Sequence, residues 1–174
     1  MLLHRGSSHF GWCRGPPPNP ATMTTTRVLR IAAAISLLFT LGHSMGGLQQ
    51  WSPMGDNAVL KAMRDVRFDT MGVSRSYLDL YMGLGWTISV LMVMETILLW
   101  QLASLAKTEP ARLRPIIGVI VLATAGSGII AWRFILPVPA IFSVVLLIPL
   151  ALAYVAASDV RPLLRSQTAG DRTE

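Results

Sequence analysis

Four long apolar blocks, separated by short polar segments, set the pattern of the chain. They run over about 28–48, 77–102, 116–136 and 140–157. At 1.5 Å per residue, the 21 residues of the first reach roughly 31 Å, enough for a bilayer hydrocarbon core of about 30 Å. The pattern predicts an all-α fold, a four-helix transmembrane bundle.

Punctuation between the blocks refines it. Ser76-Tyr77-Leu78-Asp79 fits a capping box, with Ser76 as N-cap of the second span and Asp79 reaching back from the third helical position. Pro137-Val138-Pro139 forbids helix continuation and predicts a very tight turn between the third and fourth spans, and Pro149 predicts a kink. The one sizeable polar loop, 49–76, holds turn signals at Ser52-Pro53 and Met54-Gly55. Asp56 or Asn57 can then cap a short amphipathic helix through about Asp69, with Val59, Met63 and Val66 on one face. Such a helix would rest on the membrane surface or lid the bundle.

The ends differ from the middle. Residues 1–26 read as a disordered leader or as the product of a mis-called start, with Met23 the true first residue. Gly15-Pro16-Pro17-Pro18-Asn19-Pro20 breaks any helix there, and no signal-peptide apolar run precedes it. Residues 27–157 form the transmembrane domain, and 158–174 read as a disordered cytoplasmic tail.

Composition supports the membrane reading: 52% of residues are hydrophobic and 14% charged, against about a quarter charged in soluble domains. The net charge of +6 could suggest nucleic acid, but Lys and Arg sit in short segments between apolar blocks and no basic helix is interleaved with aromatics. Nucleic-acid binding is therefore not expected, and the bilayer itself is the first partner. Placing both termini inside leaves ten Lys and Arg in the cytoplasm and five outside (Lys61, Arg64, Arg67, Arg75 and Arg133). Without the leader the count is eight against five, still favouring a bacterial inner membrane protein with both termini cytoplasmic. The lone Cys13 forms no intrachain disulfide, no Cys/His metal spacing exists, and no cofactor is expected.

Polar residues within the spans are the candidate chemistry. Ser36, Thr40, His43 and Gly47, spaced four, three and four apart, fall within about 60° of one another on one helix face. Gly42 and Gly46 form a GxxxG pair on an adjacent face, and Ala123-Thr124-Ala125-Gly126-Ser127-Gly128 offers a small run in the third span. These predict that the first and third spans pack together. The stripe can be structural, with Ser36 and Thr40 bonding back to their own helix and His43 making one interhelical bond, or it can bind a ligand or handle protons. Haem is disfavoured because one core histidine per chain requires a dimer or another ligand type.

Asp79, His43 and Arg133 fall near one level in the outer part of three spans, beneath the 49–76 loop. Arg133 either pairs with Asp79 or snorkels to the headgroups while Asp79 only caps its helix. Arg67 or Arg75 could turn inward to complete a site with His43. Glu95 lies 16 residues, about 24 Å, along the helix from Asp79, and is expected to bond Thr124 or Ser127, or to serve a proton relay.

Leu41-Gly42-His43-Ser44-Met45-Gly46-Gly47, followed by Arg67-Phe68-Asp69-Thr70-Met71-Gly72 and Arg75-Ser76-Tyr77-Leu78-Asp79, resembles a family of small bacterial four-helix integral membrane proteins. The resemblance covers about Met23 to Ala157. In helix number and size the chain is also similar to the DoxX-like group. Neither resemblance implies a particular activity. The leading expectation is a membrane protein that binds a small lipophilic ligand or a partner in an outer-leaflet polar pocket; separately, a homo-oligomer or a membrane partner is a candidate assembly. The alternative is a membrane enzyme or redox accessory using His43 with Asp79 or Arg133.

Overall fold

The computed structural model describes residues 20–47 and 54–158. Of the leader expected over 1–26, residues 20–26 are helical, forming the start of α1 with Pro20 in its first turn rather than breaking it. The rest of the leader and the tail after 158 lie outside the described residues. Five helices and one hairpin make up the fold: α1 (Pro20–Gly47), α2 (Ala58–Asp65), β1 (Arg67–Thr70), β2 (Val73–Ser76), α3 (Tyr77–Leu105), α4 (Pro110–Phe134) and α5 (Pro137–Ala156). The four long helices are each long and apolar enough to cross a membrane, and the fold is an all-α four-helix bundle. Large apolar side chains project outward all along them, among them Leu38, Leu122, Ile129 and Val144. In water that surface would be a liability; in hydrocarbon it is the solvated face.

Local rules account for the helix ends. Pro20, Pro110 and Pro137 each open a helix, where the missing N–H would have had no partner in any case. The prolines at 137 and 139 therefore lie in the first turn of α5, and the connection from α4 is only Ile135-Leu136. The capping box at α3 is present in full: Asp79 N–H donates to Ser76 Oγ at 3.1 Å and Ser76 N–H to Asp79 Oδ2 at 2.8 Å.

The outer segment departs from expectation. Asn57 does cap a helix, its Oδ1 accepting from Val59 N at 2.9 Å and Leu60 N at 3.0 Å, but α2 stops at Asp65. Residues 67–76 form an antiparallel hairpin in which Thr70 pairs with Val73 and Arg67 with Ser76. Its two-residue turn, Met71-Gly72, has both φ angles positive, at 55° and 78°, as the twist of a tight hairpin demands. Gly72 signals that turn in the sequence; Met71 disguises it, because non-glycine residues rarely adopt positive φ.

Packing also differs from expectation. α1 lies between α3 and α5, and α4 packs on α5 rather than on α1. The two-residue link makes α4 and α5 antiparallel neighbours, and the small residues of α4 serve that contact. A Cβ on Gly128 would stand 3.0 Å from Ser143 Cβ, and one on Gly118 would stand 3.2 Å from the Tyr154 ring. Gly42 and Gly46, in contrast, meet no atom of another described element within 4 Å of a notional Cβ. The apolar core gathers at the end where α1 begins and α3 ends, around Leu29, Leu99, Ile117 and Leu150. Toward the other end, a Phe39–Phe142 stack at 4.6 Å joins α1 to α5, and the contact between α1 and α3 becomes polar.

Candidate functional site: a polar seam between α1 and α3

Ser36, Thr40, His43 and Ser44 of α1 face α3 along a continuous seam. Ser36 Oγ and Thr96 Oγ1 are 2.8 Å apart, and Thr40 Oγ1 lies 3.5 Å from Thr96 Oγ1. Thr40 donates to Ser36 O at 2.8 Å, and Thr96 to Met92 O at 3.0 Å. One turn further out, Ser44 Oγ donates to Ser89 Oγ at 3.1 Å. Ser36, Thr40 and Ser89 are buried. A hydroxyl in hydrocarbon needs a partner, and these satisfy one another across the helix pair.

The matching line on α3 carries a signal in the sequence: Gly85, Ser89, Met92 and Thr96 repeat the four-three-four spacing of Ser36, Thr40, His43 and Gly47. Hydroxyls on facing lines of adjacent spans, Ser36, Thr40 and Ser44 on α1 and Ser89 and Thr96 on α3, are a stronger packing signal than two runs of small residues, because an unpaired hydroxyl costs more than a loose fit.

His43 ends the seam and is held differently. Its Nε2 donates to the Gly85 carbonyl at 3.4 Å, a long bond to a backbone that glycine leaves uncovered. The ring is half-buried, and among the described residues Nδ1 has no partner. With Nε2 carrying the proton, Nδ1 presents a lone pair.

The other candidate residues lie apart from it. Asp79 is occupied by the cap of α3. Arg133, exposed near the end of α4, sits 5.2 Å over the ring of Phe134. Among the described residues no hydrogen bond or ion pair joins His43, Asp79 and Arg133. The arrangement follows from packing: α4 carries Arg133 onto α5, while α1 and α3 pair with each other. Arg67 and Arg75 do not turn toward His43. Both donate to the Ser74 carbonyl at 3.1 Å, and Arg67 Nε also reaches Ser74 Oγ at 3.3 Å. Glu95 is half-buried beside Thr96 and has no hydrogen-bond or ion-pair partner among the described residues. Thr124 donates to its own helix at Ile120 O, 2.8 Å away, so the expected bond to Glu95 is not made. Slight contact between α3 and α4 explains why.

Two open clefts lie elsewhere. One, of about 390 Å³, runs along α2 between Asp56 and Asp65; the other, of about 290 Å³, lies at the opposite end of the bundle beside Arg27 and Arg30. Among the described residues no group of three His, Cys, Asp or Glu side chains is placed to hold a metal ion. The fold and seam define a multi-pass helical membrane protein. Comparison with protein-family models, with curated proteins and with solved structures finds no match for the chain.

Proposed function

We propose that this is an inner membrane protein of a bacterium, with both termini cytoplasmic, that binds a small lipophilic ligand or membrane partner at the outer end of the α1–α3 seam. His43 is the recognising group. The carrying observation is the contrast within the seam: the hydroxyls are mutually bonded, whereas among the described residues His43 Nδ1 is unpartnered on a half-buried ring. A membrane-soluble molecule bearing one hydroxyl or amide donor suits that lone pair. Ser36 and Thr40 hold the helices together and position the ring. The charge distribution supports the orientation, which places His43 in the outer leaflet. A catalytic reading would need Asp79 or Arg133 in reach of His43, and both are engaged elsewhere.

The test compares lipophiles extracted from purified wild type with those from His43→Ala and His43→Gln, using mass spectrometry. A species present near one per chain in wild type and lost from His43→Ala, at unchanged melting temperature, is the expected result. Identical extracts from all three proteins would end the proposal.

A further inference from the structure

The cleft at the far end of the bundle from His43 has its own chemistry. Its lining is Thr22, Met23, Thr26, Arg27, Arg30 and Lys107, with three cations and no carboxylate. The nearest acidic residue in sequence to Lys107 is Glu109, and it is held by Arg112 at 2.8 Å. Nothing among the lining residues therefore neutralises the three positive charges.

Thr26 makes the cleft more than a basic surface. It is 7% exposed, and its Oγ1 is buried with no hydrogen-bond partner among the described residues. Helical threonines elsewhere in the chain avoid this state by donating to the carbonyl four residues back, as Thr40, Thr87, Thr96 and Thr124 do. Thr26 has a carbonyl at the same offset and does not use it. A buried hydroxyl left unmatched is costly, and one that lines a cationic cleft points to an anionic acceptor.

Depth identifies the kind of anion. The Arg30 guanidinium lies 5.6 Å over the Trp100 ring, a pairing of residues typical of the membrane–water interface. From Arg30 to Thr22 the cleft follows eight residues of α1, roughly 12 Å along the axis, from that interface outward through the headgroup layer. Its volume of about 290 Å³ accommodates a phosphate with its immediate substituents.

We infer that Thr26, Arg27, Arg30 and Lys107 form a phosphate-binding site at headgroup depth, with the Thr26 hydroxyl donating to a phosphate oxygen and the three cations balancing its charge. The phosphate belongs to an anionic phospholipid headgroup or to a free phosphate; the chemistry of recognition is the same. This site is independent of the proposal made for His43.

The experiment measures native mass spectra of the full chain released from bilayer discs of phosphatidylglycerol and phosphatidylcholine, for wild type, Thr26→Val, Thr26→Ser and the triple variant Arg27→Gln/Arg30→Gln/Lys107→Gln. Wild type is expected to retain phosphatidylglycerol over phosphatidylcholine by at least about tenfold. Thr26→Val should lower that retention roughly tenfold at unchanged charge, Thr26→Ser should keep it, and the triple variant should abolish it. Circular dichroism and melting of each variant establish that it is folded. A parallel titration with inorganic phosphate separates the sources. Failure to displace the lipid assigns a headgroup, while displacement together with a raised melting temperature assigns a free phosphate. Equal retention by wild type and Thr26→Val, with phosphate inert, overturns the site and leaves only a charged surface.

Discussion

Thr96 is the residue on which the seam turns, because it meets both Ser36 and Thr40 while donating to its own helix. Replacing it with Val keeps the shape and strands Ser36 Oγ. The expected loss is about 1 kcal/mol of bundle stability, in line with interhelical hydrogen bonds in membranes, read from unfolding in mixed micelles. Met71 offers a change of opposite sign. It is 98% exposed and holds a φ of 55°, so its backbone conformation is strained and its side chain gains no packing in return. Met71→Gly should stabilise the hairpin by about 1 kcal/mol, seen as several-fold slower amide exchange at 68–75. At this scale the sequence was partly legible. The polar stripe Ser36–Thr40–His43 and the Ser76–Asp79 box follow from spacing and are present. The convergence of Asp79 and Arg133 on His43 was a statement about depth alone, and depth does not say which helices are neighbours.

Helix pairing separates the glycines that matter from those that only look as if they should. Gly42 and Gly46 carry the recognisable GxxxG spacing, yet each could accept a Cβ without meeting any atom of another described element within 4 Å. Gly128 closes the small run 123–128 without a GxxxG spacing, and it stands against Ser143. Gly128→Leu is therefore expected to destabilise the α4–α5 pair by about 1–3 kcal/mol. Gly42→Leu should stay within about 0.5 kcal/mol of wild type. Detergent melting curves of the two variants decide between the pairing seen here and one in which the first and third spans meet. Sequence reasoning missed the true pairing because small runs permit close approach without requiring it. The two-residue link after Phe134 and the paired hydroxyl stripes do require it. The outer hairpin was missed for a simpler reason: four-residue strands are too short for alternation to stand out.

Across the whole molecule, the chain divides its stabilisation by depth. Apolar packing concentrates where α1 begins, and hydroxyl pairing where it ends. The basic cleft and the Arg30–Trp100 contact lie at the first of these ends, and the hairpin at the other. The orientation inferred from charge has a direct measurement. In a Cys13→Ser background, a cysteine at Met71 should react with an impermeant maleimide in intact cells. A cysteine at Thr108, in the α3–α4 connection, should react only after the membrane is opened; the reverse pattern would invert the topology.

The central place of α1 has a consequence for how the bundle is made. Helices leave the ribosome in order, so α1 enters the bilayer before either of the helices it packs between. Its hydroxyls can pair across to α3 as soon as α3 inserts, but the α5 side stays open until α5 arrives. Of the four spans, the earliest made is thus completed only when α5 is in place. Until α5 docks, the Phe39 ring lacks the Phe142 ring on which it stacks in the finished bundle, and that side of α1 faces lipid.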